Sequence, residues 1–465
     1  MSGVRLHLAI CTCAALALAA ASASPLAPQA PGRPPNIVII TSEDLGYGDL
    51  GSYGAKAIRT PNLDRMAAQG LLLTSFTTAS PVCSPSRAAL LTGRYPPRVG
   101  VSRVLHSRDT IGLLPSEVTL AEALKPLGYA TAVIGKWHLG HLPQFLPTSQ
   151  GFDYYFGIPY SNDMAPTPLL RNTQVIEEPT QQETLTERYT EEAERFIHTN
   201  RDRPFFLYFP HTMPHVPLHA SDRFLGRSAA GLYGDVVEAI DWSVGRVLQV
   251  LQDAGIDRNT LVIFTSDNGP EHQGSPGRLR GRKFTVYEGG VRVPFIARWP
   301  ARIPTGLVSE APVNALDLFP TLIAAVGGTL PPNIMLDGED IMPVLTGRVK
   351  ERRSHLMLYF DNRYVQAARY GNWKIHVARW ERAPEHPLVP INVPLATPEL
   401  FDLTVDPDES YDVAARHPTV AADIVRRITQ ALQTFDLAVQ RANFPSNRPD
   451  RPPARPNPRL LLSRP

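Results

Sequence analysis

The chain has 465 residues, of which 43% are hydrophobic, and its formal net charge at pH 7 is +2. This length and apolar content are ample for a large buried core. The near-neutral charge gives no support for a nucleic-acid-binding surface, so the sequence predicts a globular protein of another class.

The first residues have the pattern of a signal peptide. Arg5 supplies a positive charge, residues 6–20 are almost wholly apolar, and Ala21-Ser22-Ala23 fits a cleavage site. A membrane anchor is disfavoured because the run is short and rich in small residues. We therefore predict a signal peptide over residues 1–23, no membrane insertion, and export to the periplasm or the extracellular space.

Cleavage of that leader would leave a single cysteine. Cys11 and Cys13 lie inside the apolar leader, and Ile10 stands where a lipidation site wants a small residue. The remaining Cys83 cannot form an intrachain disulfide. An unpaired thiol in an exported protein is unusual and points to a chemical role.

Short apolar runs alternate with helical patterns along the next three hundred residues. Runs typical of buried strands occur at residues 36–41, 130–134, 205–209, 261–265 and 293–297. Helical patterns cover 60–68 and 233–254. Strands separated by helices predict an α/β fold with a large, mostly parallel sheet flanked by helices.

Changes in composition and residue pattern divide the chain into further segments. Residues 24–34 have the composition of a flexible lead-in, and residues 35–344 would form an N-terminal catalytic domain. Polar and apolar residues alternate after residue 345, which predicts a smaller α+β subdomain over 345–440 with an antiparallel sheet and a helix at about 418–434. The Pro- and Arg-rich residues 441–465 are predicted to be a disordered tail.

Polar groups cluster just after the carboxyl ends of the predicted strands. Each such residue alone is more simply explained as a turn or capping residue. Ligands bind at this edge in open α/β sheets, so several clusters together favour one shared site. The clusters are Glu43 and Asp44, Lys136 and His138, His211 and His215, and Asp267 and Asn268.

Cys83 begins a segment that reads as the start of a helix. Ser84 is a candidate N-cap and Pro85 suits the first helical position. Cys83 would then lie where free backbone N–H groups favour negative charge, with Arg87 one turn further on. The alternative, a small buried cysteine that packs as a hydrophobe, fits its polar neighbours poorly.

The segment from Cys83 to Arg94, with its Cys-x-Pro-Ser-Arg and Leu-Thr-Gly-Arg motifs, resembles the signature of the formylglycine-dependent sulfatases of the alkaline phosphatase superfamily. Further motifs match in order from about Asn36 to Asp412. They are Glu43 to Asp49, Gly135 to Gly140, Ser266 to Gly269, and Lys283 ahead of Tyr287 to Arg292. The segment from Gly157 to Asp163 is most similar to the arylsulfatase A branch. The resemblance implies an alkaline-phosphatase-like fold.

The resemblance also implies a modified nucleophile. In the family, a formylglycine-generating enzyme oxidises the motif cysteine to 3-oxoalanine, and Cys83 matches that position. One hydroxyl of the hydrated aldehyde attacks sulfur, and the other lets the carbonyl re-form and expel sulfate. A serine in its place would remain as a stable sulfate ester.

The family's metal is usually Ca²⁺, and Mg²⁺ is the alternative. The positions similar to its ligands are Glu43, Asp44, Asp267 and Asn268, together with the modified Cys83. Oxygen ligands suit such hard cations and not zinc. The family usually has two aspartates where this chain has Glu43-Asp44, so we expect metal binding with altered geometry.

The remaining site residues are also carried over from the resemblance. Arg87, Lys136 and Lys283 match basic residues around the nucleophile and the sulfate. His138 would assist the formylglycine hydrate, and His215 would contact sulfate and protonate the leaving alcohol. His211 competes for that role, but the family pattern His-x-Pro-Leu favours His215. Ser161 matches a serine that positions substrate, or it is an ordinary loop residue.

The predicted activity is hydrolysis of a sulfate monoester of a sugar, glycan or aryl alcohol. Two alternatives stay open: a phosphate or phosphonate monoester hydrolase of the same superfamily, and a non-catalytic protein that binds sulfated glycans. The retention of Cys83, Arg87 and both histidines argues against the last. The sequence assigns neither the leaving alcohol nor an oligomeric state.

Overall fold

The structure is a computed structural model, and it describes residues 33–352, 354–382 and 390–444. The predicted signal peptide, residues 24–32 of the lead-in and residues 445–465 of the tail lie outside the described residues. Among the helices of the described ranges, none combines the length and the apolar character needed to cross a membrane.

A large mixed sheet forms the centre of the fold. Within the described residues it has ten strands in the order β11-β2-β10-β9-β1-β8-β4-β5-β6-β7. These strands are β1 (Asn36–Ser42), β2 (Leu71–Leu73), β4 (Ala130–Ile134), β5 (Tyr154–Gly157), β6 (Leu169–Arg171), β7 (Gln174–Glu177), β8 (Phe205–Pro210), β9 (Thr260–Ser266), β10 (Phe295–Arg298) and β11 (Leu307–Ser309). A short parallel pair, β3 (Phe76–Thr77) with β12 (Val313–Asn314), lies apart from it.

The middle of this sheet is parallel, as predicted. Strands β9, β1, β8, β4 and β5 run in one direction. Strand β10, which the sequence predicted without a direction, pairs antiparallel with both β9 and β2. The far edge, β6 and β7, is also antiparallel.

Helices cover both faces of the sheet because each central strand is apolar on both sides. In β1, Ile37 and Ile39 belong to one hydrophobic cluster, and Val38 and Ile40 belong to the other. The helices are α1 (Pro61–Ala68), α2 (Cys83–Thr92), α3 (Leu120–Leu124), α4 (Leu185–Asn200), α5 (Gly231–Asp253), α6 (Glu288–Val291), α7 (Leu318–Ala325), α8 (Met342–Leu345), α9 (Pro418–Leu432) and α10 (Leu437–Asn443).

A smaller antiparallel sheet follows in the C-terminal part of the chain, as predicted. It has the order β13-β14-β15-β16. Its strands are β13 (Leu356–Asp361), β14 (Tyr364–Tyr370), β15 (Trp373–Arg382) and β16 (Pro390–Asp402). Ile424 and Ile428 of α9 pack with this sheet in a third hydrophobic cluster. Helix α10 includes residues 441–443, which the sequence analysis had placed in the disordered tail. The proposed boundary near residue 345 stays a prediction.

Candidate active site

The ends of four neighbouring parallel strands bring the predicted polar clusters to one edge of the sheet. Strand β1 lies between β8 and β9, and β4 lies on the other side of β8. Glu43 and Asp44 follow β1 directly, while Asp267 and Asn268 follow β9, whose last residue Ser266 pairs with Ser42. We expected the polar groups that follow these strands to meet at one edge of the sheet. They do so for these strands because parallel strands end on the same side.

Helix α2 begins at Cys83 itself, two residues earlier than the predicted start at Pro85. Val82 is its N-cap and makes no side-chain capping bond. The expectation that Ser84 caps the helix was wrong, since the Ser84 hydroxyl instead accepts the Leu105 N–H at 3.1 Å. Cys83 still occupies the first turn, where backbone N–H groups have no helical partner. Its side chain is buried.

Three carboxylates converge below this helix end. Glu43, Asp44 and Asp267 each offer an oxygen, and these atoms lie within 4.8 Å of one another. Asn268 Nδ2 donates to Asp44 Oδ1 at 2.7 Å, and the Asp44 N–H donates to Asp267 Oδ1 at 3.2 Å. Asn268 Oδ1 is buried without a hydrogen-bond partner among the described residues. An unpaired amide oxygen beside clustered carboxylates fits a hard divalent cation.

Three buried cations face these carboxylates. Arg87 pairs with Glu43 and donates from Nε to Asp267 Oδ2 at 3.2 Å. Lys136 Nζ lies 2.5 Å from the other oxygen of Glu43, and Lys283 Nζ lies 2.7 Å from Asp44 Oδ2. Burial of these charges is tolerable only because each is paired.

The surrounding charges shift the pKa values of Glu43 and Asp267 in opposite directions. Burial alone would raise the pKa of Glu43, but Arg87 and Lys136 outweigh it and hold that pKa well below its usual range. Burial and the neighbouring Glu43 charge raise the pKa of Asp267. A divalent cation bound among these oxygens would relieve that repulsion.

His215 lies beside the carboxylates. Its Nδ1 donates to the Val216 carbonyl at 2.6 Å, which leaves the Nε2 lone pair directed at the site. Nε2 is 3.4 Å from Ser161 Oγ and 3.8 Å from Asp44 Oδ2. Burial and Lys136 lower the pKa of His215. Ser161 also accepts from Lys136 Nζ at 3.0 Å, so it joins two of the predicted site residues.

His138 is held in a constrained loop after β4. Its Nε2 donates to the Leu105 carbonyl at 2.8 Å, and Leu105 also contacts Ser84 next to Cys83. Nδ1 has no hydrogen-bond partner among the described residues, so its lone pair is available. Burial and Lys136 hold the pKa of His138 well below its usual value. His138 and Asp44 adopt positive φ values of 60° and 52°, a conformation concentrated at functional sites.

His211, the competitor of His215, lies apart from these contacts. Its ring packs on Phe209 with centroids 4.4 Å apart. Neither of its ring nitrogens has a hydrogen-bond partner within the described part of the chain. The geometry therefore favours His215 over His211 as the histidine of the site.

Glu271 is a neighbour of the site that the sequence analysis did not single out. Its Oε1 lies 3.2 Å from Lys283 Nζ, and a ligand atom of Glu271 lies within 4.8 Å of Asp44 and His215. The sequence signal for Glu271 was its position three residues after Asn268, in the loop that follows β9.

Comparison with known proteins places this geometry in a family. The sulfatase family model matches residues 35–328, and the model for the C-terminal region of aryl-sulfatase matches residues 351–457. N-acetylgalactosamine-6-sulfatase of Mus musculus is 40% identical over 92% of this chain and 91% of its own length. Arylsulfatase A of Homo sapiens is 40% identical over 88% of each chain.

A solved structure agrees with these relatives. Ps i-CgsB in complex with k-i-k-neocarrahexaose superposes with a TM-score of 0.75 at 30% identity, over 86% of this chain and 92% of that chain. The family models together cover most of the chain, and the relatives are similar over nearly its whole length. The chain therefore belongs to the sulfatase family, and it is a sulfatase.

Proposed function

We propose that this sulfatase hydrolyses sulfate monoesters of carbohydrates, with a formylglycine made from Cys83 as nucleophile and a bound divalent cation beside it. The observation that carries the proposal is the position of the Cys83 sulfur. It lies within 4.8 Å of a Glu43 carboxylate oxygen and a His215 ring nitrogen, at the start of α2 and beside the carboxylates.

The thiol itself is poorly suited to be the nucleophile. Burial raises the pKa of Cys83 well above its usual value, and the charge of Glu43 adds to the effect. A thiol is reactive as the thiolate, which this environment disfavours. The hydrated aldehyde that a formylglycine-generating enzyme produces in this family would supply the nucleophilic oxygen instead.

The cation would be held by Glu43, Asp44, Asp267 and Asn268, with the modified Cys83. We propose Ca²⁺, with Mg²⁺ as the alternative, since both prefer oxygen ligands. When bound, such an ion supplies Lewis-acid stabilisation of negative charge on the reacting oxygens. The residues support this because the described part of the chain offers Asn268 Oδ1 no hydrogen-bond partner and because the carboxylates are clustered.

The chain's own side chains would divide the remaining work. Arg87 neutralises Glu43 and Asp267 beneath the nucleophile, and Lys136 and Lys283 present positive charge to the sulfate. His138 Nδ1 has no hydrogen-bond partner within the described ranges, so its lone pair can accept a proton from the nucleophile. His215, with Ser161 against its Nε2, lies where it can contact sulfate. To protonate the leaving alcohol, Nε2 would first take up a proton from solvent.

The charge of the site favours a sulfate over a phosphate ester. Glu43, Asp44, Asp267 and Glu271 carry one negative charge more than Arg87, Lys136 and Lys283. A bound divalent cation would turn this into an excess of one positive charge, which matches the single negative charge of a sulfate monoester. The carbohydrate assignment rests on the similarity to N-acetylgalactosamine-6-sulfatase and on the bound neocarrahexaose of Ps i-CgsB.

Turnover of matched substrates tests the proposed function. Wild-type protein should hydrolyse N-acetylgalactosamine 6-sulfate and 4-nitrophenyl sulfate faster than 4-nitrophenyl phosphate. Cys83→Ala should abolish turnover, whereas Cys83→Ser should trap sulfate on the protein after one attack, as a mass increase. A faster phosphate reaction would favour the phosphatase alternative. Sulfatase activity retained by Cys83→Ala would refute the mechanism.

We also propose that the protein is exported after cleavage following residue 23. The support is the sequence pattern of the leader alone. Amino-terminal sequencing of the protein secreted by its native host should begin at Ser24. An intact Met1 terminus would contradict this.

A further inference from the structure

Phe284, next to Lys283, combines exposure with an unfavourable backbone conformation. Half of the residue (50%) is exposed, and it belongs to none of the hydrophobic clusters found among the described residues. Its φ is 74°, in the left-handed region that bulky side chains rarely adopt. The structure therefore keeps a half-exposed aromatic ring at a position where packing in the hydrophobic clusters does not require it.

Backbone hydrogen bonds tie the turn that contains Phe284 to two segments of the site. Residues 282–285 form a turn in which the Thr285 N–H donates to the Arg282 carbonyl at 3.0 Å. Phe284 occupies the third position, where a positive φ usually selects glycine or asparagine. The Phe284 N–H donates to the carbonyl of Pro81, two residues before Cys83, at 3.0 Å. The Lys283 N–H donates to the carbonyl of Pro270, two residues after Asn268, at 3.0 Å.

These bonds place the ring at the rim of the site. The Lys283 Nζ lies 5.4 Å from the centroid of the Phe284 ring and 2.7 Å from Asp44. Glu271, whose side chain is partly exposed, lies 3.2 Å from the same Nζ. The rim thus offers one apolar face beside a charged donor and a carboxylate acceptor.

We infer that Phe284 is a specificity-determining residue whose ring stacks on the pyranose ring of the leaving alcohol. This rests on the proposed function. A sugar presents an apolar C–H face together with hydroxyl groups, and the combination of Phe284, Lys283 and Glu271 complements both. A strained, exposed residue that persists at a site is the kind of outlier from which a functional role is argued. The sulfate group itself would lie deeper, against Lys136 and His215.

Binding to protein without the nucleophile tests this role directly. In a Cys83→Ala background, the affinities of N-acetylgalactosamine 6-sulfate, 4-nitrophenyl sulfate and inorganic sulfate are measured by calorimetry. Phe284→Gly should weaken binding of the sugar sulfate about three- to tenfold, the range expected for one aromatic stacking contact. It should leave inorganic sulfate unchanged, because that ion reaches only the inner pocket.

Two variants separate recognition from structure. Phe284→Asn tolerates the left-handed conformation and should lose sugar affinity like Phe284→Gly, while Phe284→Tyr should retain it. The melting temperature of Phe284→Gly should be equal to or above that of the parent, since the strain is removed. An unchanged sugar affinity would overturn the inference, and so would failure of the sugar sulfate to bind the parent.

The remaining outcomes are equally decisive. Equal weakening of sugar sulfate and inorganic sulfate would show that Phe284 acts through Lys283, and loss confined to 4-nitrophenyl sulfate would assign the ring to an aryl alcohol. Either result overturns the sugar assignment. Because binding is measured without turnover, it decides this question even if the wild-type protein failed to hydrolyse sulfate esters.

Discussion

At the scale of single residues, Glu43 is the most informative departure from the family pattern. The family usually has aspartate at this position, and this chain has a longer side chain. Its two oxygens contact Arg87 and Lys136 separately, and both cations are fully buried. This carboxylate therefore pairs with two buried cations, of which Arg87 is shared with Asp267, and it also faces the proposed cation.

Replacement of Glu43 by glutamine tests its role as a ligand. At free Ca²⁺ a hundredfold above its Kd, the ion should stabilise the wild-type protein by about 2.7 kcal/mol. Glu43→Gln removes one negative charge from the site and should weaken Ca²⁺ binding roughly tenfold or more. The measurement is the shift of melting temperature on adding Ca²⁺ to chelator-treated protein.

The control for this experiment is Glu117→Gln. Glu117 is also a buried carboxyl group paired with an arginine, Arg94, and its hydrogen bonds and ion pair among the described residues involve no residue of the site. Its Ca²⁺-dependent shift should equal that of the wild type. A full shift in Glu43→Gln would remove Glu43 from the ligand set.

His211 yields a pH prediction because burial lowers its pKa to about 3. An unfolded histidine titrates near 6.5, so between pH 6.5 and 3 the unfolded chain binds more protons at this residue. The free energy of unfolding should therefore fall as the pH falls through this window, by up to about 1.4 kcal/mol per pH unit from His211. Its contribution is fully present above pH 6.5.

Urea denaturation at several pH values measures this effect. His211→Leu should lose less stability than the wild type between pH 6.5 and 4.5. The control is the same substitution at the exposed His106, which leaves the buried ring in place. If the free energy of unfolding fell equally with pH in His211→Leu and in the wild type, burial of His211 would not be the cause of the loss of stability.

At the scale of elements, the C-terminal sheet is linked to the loop that carries Lys283 by a buried ionic network. Lys374 of β15 lies 2.8 Å from Glu288 of α6 and 3.3 Å from Glu409. His376, two residues along β15, lies 2.6 Å from Glu409, and its ring stacks on Tyr287. Lys283 precedes Glu288 by five residues, so this network anchors one end of the loop that carries Lys283.

Loss of Lys374 should destabilise the fold strongly. Lys374→Met would leave the carboxylates of Glu288 and Glu409 buried without their shared cation, and such changes cost about 3–5 kcal/mol. The free energy of unfolding in urea measures this. Arg246→Met, which breaks the exposed pair with Glu194, should cost less than about 1 kcal/mol. Equal effects of the two variants would contradict the account of the network.

Elements differ in how far their sequences predict them. The apolar run of β1 predicted a strand buried on both faces, and the structure confirms this because burial depends on local composition. The same kind of run in β10 did not reveal its antiparallel direction, which depends on distant partners in β9 and β2. Ser84 is a residue type that often caps helices, but its hydroxyl instead accepts a tertiary hydrogen bond from the Leu105 N–H.

At the scale of the whole molecule, the site is assembled from segments more than two hundred residues apart. Asp44 is bonded to Asn268 and Lys283, and these contacts exist only because β1 and β9 are neighbours and end together. Motif order along the chain named residues that the structure brings together at this edge of the sheet, and their roles in catalysis and metal binding stay predictions. It could not predict Glu271 or the strained turn at Phe284, because these depend on loop conformation.

The central claim is that the side chain made from Cys83 is the nucleophile that cleaves the sulfate ester. The most direct measurement is mass spectrometry of the peptide spanning Cys83, from active protein of the native host. We predict the mass of 3-oxoalanine, with specific activity proportional to its fraction across preparations. Full activity in protein whose Cys83 is entirely an unmodified thiol would contradict the account.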